Sequence, residues 1–147
     1  MIVAMEMLAT VAAAWFAGGA LYASLVEHPA RVQAGPDVAL AEFAASYPRG
    51  ARWQGGLAAL GLVSGLGAFA ATGRPGWGAG AVILGAVIPW TLVLMAPVNK
   101  RLMAGPAPAG GDDLPLSRWG RLHAVRSVLG VVALLVFLMQ SSPVWTD

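Results

Sequence analysis

The chain has 147 residues, 58% of them hydrophobic and 11% charged, with mean hydropathy +0.70 and a formal net charge of +2. Water-soluble domains carry about 25% charged residues, so an ordinary soluble domain is excluded, as is a nucleic-acid binder, which needs clustered Lys and Arg on an exposed face. Cysteine is absent, which removes disulfides, thiolate nucleophiles, thiolate metal ligands and iron–sulfur clusters.

The first apolar run extends from Val3 to Val26. A secretory leader opens on basic residues and has a shorter apolar stretch. Here Met1 to Ala14 holds no Lys or Arg and includes Glu6, so the run is read as a retained span. It closes on Leu25-Val26-Glu27-His28-Pro29. Glu27 and His28 are adjacent, hence about 100° apart on a helix. Both reach a bundle interior only if the helix ends or unwinds near Pro29. In the long connection from Glu27 to Trp53, Leu40, Phe43, Ala44 and Tyr47 recur at helical spacing, with Asp37 and Glu42 on other faces. That pattern predicts a short amphipathic helix at the membrane interface.

The second run extends from Gln54 to Thr72. Its Gly61 and Gly65 have the small-xxx-small spacing that lets helices approach closely. Bundle packing accounts for it; a homo-oligomer contact is the alternative. Gly73 to Trp77 predicts a tight turn. The third run extends from Gly78 to Val98, and Pro89 within it frees the Gly85 carbonyl, which predicts a kink that Thr91 can relieve. It closes on Met95-Ala96-Pro97-Val98-Asn99-Lys100-Arg101-Leu102. Asn99 both donates and accepts, as a helix cap or as a site residue. Gly105 to Pro115 is rich in Pro, Gly and Asp and predicts a mobile loop, with Ser117 as N-cap of the last helix.

The fourth run extends from Leu122 to Gln140 and is preceded by Arg118-Trp119-Gly120-Arg121. Trp119, His123 and Arg126 fall at i, i+4 and i+7, one helix face. Arg118 and Arg121 can snorkel to lipid phosphates. Arg126 lies deeper. It either bolts onto Glu27 or offers a fixed positive charge to an anionic substrate or intermediate.

Each run approaches the roughly 20 residues that cross a bilayer core. Only helices and closed barrels span lipid, and these runs lack the alternation of barrel strands. The fold class is therefore all-α: an integral membrane four-helix bundle, one transmembrane domain over residues 1–147, with the interfacial amphipathic helix between spans one and two. Of the 9 basic residues, all but Arg74 fall in or beside the two long connections. This asymmetry places those connections in the cytoplasm, the chain in the cytoplasmic (inner) membrane, and both termini outside. Glu27, His28, Asn99, His123 and Arg126 then collect at one end of the bundle. Polar groups this close to hydrocarbon are costly unless they pair, meet water or bind something.

Three segments carry a resemblance: Gly19-Ala20-Leu21-Tyr22 with Glu27-His28-Pro29-Ala30-Arg31, Met95 to Leu102, and Arg118 to Arg126. Together they resemble the anthrone oxygenase-like family of small four-helix membrane proteins, over nearly the whole chain. The resemblance implies an oxygenase whose partners are O₂ and an apolar phenolic, anthrone-like molecule dissolved in the lipid bilayer. By the same resemblance His28, Asn99, His123 and Arg126 match the family's polar positions.

Two mechanisms fit these residues. In a cofactor-free route, His123 or His28 removes a proton from an activated carbon, Arg126 and Asn99 stabilise the enolate or phenolate, and the carbanion meets O₂. In a metal route, His28, His123 and Glu27 form a two-His-one-carboxylate site for non-haem iron or copper. The reading from a different class is a non-catalytic membrane protein: a small-molecule binder, transport accessory or structural subunit. The paired repeats typical of transporters are not evident between the two halves.

Overall fold

Glycine and proline punctuate the chain at both of its described turns. In the computed structural model, residues 1–105 and 116–141 are described; the loop predicted after Gly105 lies outside the described residues. The apolar runs form four helices: α1 (Ile2–Gln33), α2 (Pro36–Thr72), α3 (Pro75–Met103) and α4 (Leu116–Ser141). Among the described residues there is no strand. Gly35 (φ 89°) and Gly73 (φ 69°) take the left-handed conformation that frees the chain to reverse. Pro36 and Pro75 then start α2 and α3 at the position where a missing N–H costs nothing.

The helices pack in a square: α1 lies against α2 and α4, and α3 lies against the same two. One apolar core, around Phe16, Trp77, Leu84 and Phe137, fills the end near the α2–α3 turn. A second, around Leu40, Phe43, Met95, Val98, Leu102 and Trp119, fills the opposite end. Only 28% of the apolar window of α1 and 33% of the windows of α2, α3 and α4 are buried inside the bundle. The remainder, including Val63, Leu92 and Val128, faces outward as an apolar girdle. The chain is an integral membrane protein, with lipid covering that girdle.

Gly61 and Gly65 serve packing within the bundle. A Cβ at Gly61 would overlap Leu84, and one at Gly65 would sit 2.9 Å from Ala81 Cβ and 3.0 Å from Phe137 Cζ. These glycines let α2 close onto α3 and α4, so their faces are not free for a second copy.

Two features differ from the sequence reading. The amphipathic segment is not a separate interfacial helix; it is the first part of α2, which runs unbroken for 37 residues through Pro48. Leu40 and Phe43 find an apolar partner surface in the second core. They bury inside the bundle, and that packing carries the helix past the lost N–H at Pro48. At 1.5 Å per residue α2 is about 55 Å long, against a hydrocarbon core of about 30 Å. The bundle therefore projects beyond the apolar layer at the Arg31, Arg49 and Lys100 end.

The second feature is a pair of π-helical turns, Ala23–Glu27 in α1 and Thr91–Met95 in α3. Each ends two residues before a proline, Pro29 or Pro97. A proline cannot donate to the carbonyl four residues back and its ring crowds that carbonyl. The helix accommodates this upstream by widening, so that the His28 N–H bonds Ala23 O, five residues back. Such turns re-aim the side chains that follow. In both helices the residue two after the proline, Arg31 or Asn99, is buried and polar. The halves of the chain thus share a local device that is faint in the sequence. Pro89 is accompanied by an interruption of α-helical pairing at Ala86. Thr91 Oγ1 donates to Val87 O at 2.7 Å, not to the Gly85 carbonyl that Pro89 frees.

Candidate functional site

Between the two cores lies a cavity of about 550 Å³, within the roughly 300–1,000 Å³ range of small-molecule sites. Its walls are mostly apolar: Ala58, Val87, Ile88, Leu92 and Met95 on one side, Phe43, Tyr47 and Trp119 at the basic end. Into this lining protrude Glu27, Arg31, Gln54, His123 and Arg126.

The stripe on α4 is as the spacing predicted. Trp119, His123 and Arg126 occupy successive turns of one face, are all buried, and all line the cavity. The Trp119 and His123 rings stack with centroids 4.5 Å apart and 21° between planes. Stacking fixes the imidazole plane. Its Nδ1 lies 3.0 Å from Ser24 Oγ, which lies 2.8 Å from Ser127 Oγ. Ser127 Oγ is within reach of two carbonyls, Ala20 O at 2.9 Å and His123 O at 3.2 Å. Ser24 sits in the π-helical turn of α1, so that turn delivers the hydroxyl that meets His123.

Arg126 does not pair with Glu27. Its Nη2 donates to Gln54 Oε1 at 2.8 Å, its guanidinium carbon stands 5.5 Å from the Phe16 ring centroid, and its Nε is buried without a partner among the described residues. The Glu27 carboxylate lines the cavity and lies 3.9 Å from Arg31 Nη2. Arg31 Nε also bonds Glu42 Oε2. Glu27 instead faces Arg31, four residues on along the same helix and so one turn away.

His28 and Asn99 are near the cavity without lining it. The His28 ring is 5.3 Å from Trp119, and its Nδ1 is buried without a partner. A Cβ at Gly120 would overlap this imidazole, so the glycine is what admits α1 here. Asn99 is not a helix cap. It accepts from Trp119 Nε1 at 3.0 Å and donates through Nδ2 to Tyr47 OH at 3.0 Å. Asn99 therefore holds two aromatic wall residues in place from behind, facing a smaller hollow shared with Tyr47 and Lys100.

The proposed trio Glu27, His28 and His123 does not form a ligand set. Among the described residues no group of three His, Cys, Asp or Glu side chains is placed to hold a metal ion. His123 Nδ1 is engaged by Ser24, Glu27 leans to Arg31, and Trp119 lies against both imidazoles.

Sequence reasoning missed four residues. Arg31 enters the sequence reading only as a basic residue closing one resemblance segment, yet it is 5% exposed and lies beside two aromatic rings, 5.5 Å from the Phe43 centroid and 5.3 Å from that of Trp119. Its spacing from Glu27, i and i+4, was the available signal. Gln54 was read as a span boundary, although a lone amide at the head of an apolar run invites a partner. Ser24 and Ser127 are isolated hydroxyls in opposite runs, a signal too weak without the fold.

A family model described as anthrone oxygenase matches residues 43–136, well over half of the chain. The matched segment includes Tyr47, Gln54, Asn99, Trp119, His123 and Arg126; Ser24, Glu27, His28 and Arg31 precede it. No curated protein and no solved structure matches the chain.

Proposed function

The chain belongs to the anthrone oxygenase family, and we propose that it oxygenates a flat, apolar phenolic molecule of the anthrone kind, taken from the bilayer into the cavity between its two cores. The observation that carries this reading is the pairing, in one apolar cavity, of a stacked histidine with a buried arginine that has no acidic partner among the described residues.

An anthrone methylene is acidic because losing its proton gives an aromatic phenolate. His123 is the base. When Ser127 donates to the Ala20 carbonyl, the Ser24 hydroxyl donates to Ser127 and accepts from His123 Nδ1–H. That order places the proton on Nδ1 and leaves the Nε2 lone pair free to take a proton from carbon. The charge that develops on the substrate oxygen is met by Arg126, whose free Nε–H is already desolvated and oriented by Gln54. The substrate carbanion reduces O₂ and combines with it. Loss of water from the resulting hydroperoxide leaves the quinone, so one anthrone and one O₂ give one quinone and one water. Asn99 acts here through Tyr47 and Trp119, not on the substrate. Glu27, His28 and His123 do not suit a resident iron or copper as arranged, and no step is routed through one.

The basic asymmetry supports an orientation in the cytoplasmic membrane with the Arg31 and Lys100 end inward and both termini outward.

The test is O₂ consumption by purified protein supplied with an anthrone in detergent, with the quinone measured alongside. Equimolar O₂ uptake and quinone formation above the spontaneous rate is the expected result. Binding of the anthrone with no rate above background would return the protein to the non-catalytic class of membrane binders.

A further inference from the structure

The cavity contains more positive charge than the chemistry above uses. Among the described residues three arginines line it, Arg31, Arg49 and Arg126, against one carboxylate, Glu27. Arg126 is spent on the reacting oxygen. Arg31 is not, and its surroundings are unusual for an arginine in an ion pair. The residue is 5% exposed, its guanidinium is flanked by the Phe43 and Trp119 rings, and its Nε is held by Glu42. Its Nη2 lies 3.9 Å from the Glu27 carboxylate, and its Nη1 is buried with no hydrogen-bond partner among the described residues. Burying a guanidinium N–H unsatisfied is expensive, and nothing among the described residues answers it.

The rest of Arg31 is immobilised, so this donor is fixed in direction as well as unmet. Arg126 presents the same combination, a buried side chain anchored by one bond with a free Nε–H. The two arginines that carry these donors stand on different helices, α1 and α4, and both line one cavity with aromatic walls.

We propose that the ligand of this cavity is an aromatic acid: a flat ring system whose carboxylate is received by Arg31 Nη1 while its phenolic oxygen meets Arg126. Arg31 thereby sets which ring systems are accepted and how they are turned. A planar guanidinium suits a carboxylate. The ring system lies along the aromatic wall formed by Phe43 and Trp119. Glu42 and Glu27 stand at its other nitrogens, Nε and Nη2, and leave Nη1 for the ligand. This inference rests on the reading above for the phenolic end alone.

The test is a binding measurement in neutral detergent without turnover. The probes are anthraquinone-2-carboxylate and its neutral carboxamide, followed by quenching of tryptophan fluorescence. The carboxylate should bind about tenfold to a hundredfold more tightly, the ratio for one charge-assisted hydrogen bond. Arg31→Lys should keep part of that preference. Arg31→Gln should remove it. Because Arg31→Gln leaves Glu42 unpaired and can impair folding, the paired Arg31→Gln/Glu42→Gln variant is measured with it, and it too should bind acid and amide alike. Equal binding of the two probes to the wild type, or a preference that survives in the paired variant, overturns the proposal. So does loss of the preference on adding phosphatidylglycerol, which would assign Arg31 to a lipid phosphate. A carboxylate that binds through Arg31 while anthrones are never oxidised would sink the oxygenase reading and leave this one standing.

Discussion

Arg126 Nη2 rests 2.8 Å from Gln54 Oε1, so the most deeply placed cation of the bundle leans on an amide and not on an acid. A buried ion pair loses several kcal/mol when one partner is removed, because the other charge is stranded. No charge is stranded here. Arg126→Met should therefore leave the melting temperature unchanged or higher while lowering turnover by about a hundredfold or more, the range for removing one oxyanion donor. Thermal melting in detergent beside O₂-uptake kinetics checks both halves. A variant that is equally active would make Arg126 a packing residue only.

The two histidines should behave differently. His123→Ala should cost about 10²–10⁴ in turnover, the contribution of a positioned base. His28→Ala should retain most of its activity, because that ring stands behind Trp119 and does not border the cavity. Elemental analysis of wild type and both variants accompanies the kinetics. Stoichiometric iron or copper in the wild type, lost together with activity in both variants, would revive the shared-metal arrangement.

Ser24→Ala and Ser127→Ala probe the hydroxyl relay. Each should lower kcat by about tenfold with little change in KM, as loss of one hydrogen bond that orients a catalytic group of about 1–1.5 kcal/mol would do. Nitrogen-15 spectra of the imidazole should show the proton on Nδ1 in the wild type and a mixture of tautomers in Ser24→Ala. An unchanged tautomer would remove the relay from the mechanism.

The absence of native cysteine makes orientation directly readable. Ala71→Cys, near the α2–α3 turn, and Ala104→Cys, at the end of α3, are both exposed positions. In intact cells a membrane-impermeant maleimide should label the first and spare the second until the cells are opened. The reverse pattern would invert the assigned topology and put the basic end outside.

The bundle itself was legible because hydropathy needs no tertiary information. Runs of about 20 apolar residues admit few structures in lipid. The α4 stripe was legible for the related reason that i, i+4 and i+7 share a face whatever surrounds them. What stayed hidden depended on partners. Arg126 was matched by depth with Glu27, and the side chain that meets it is the Gln54 amide. Rotation was hidden in turn because the widened turns before Pro29 and Pro97 shift the phase of everything beyond them. A constant 3.6-residue period therefore misplaces Arg31 and Asn99. The amphipathic segment at Leu40 to Tyr47 has the same pattern whether its apolar face meets lipid or other helices; only the second core shows which.

A π-helical turn is, in effect, one surplus residue lodged in an α-helix. Removing it, for instance by deleting Val26, would shorten α1 by a single apolar side chain and let ordinary pairing resume. Membrane insertion would scarcely register the change. Everything past the deletion would keep its place, because the widened turn already absorbs the surplus residue, and Arg31 would stay on its aromatic seat; what would shift is the turn itself, with Ser24 and the hydroxyl it brings to His123. The gene is thus sensitive at this point to the loss of one codon in a way that hydropathy cannot sense: a straightened α1 would keep the scaffold and the seat of Arg31 while forfeiting the hydroxyl that meets His123.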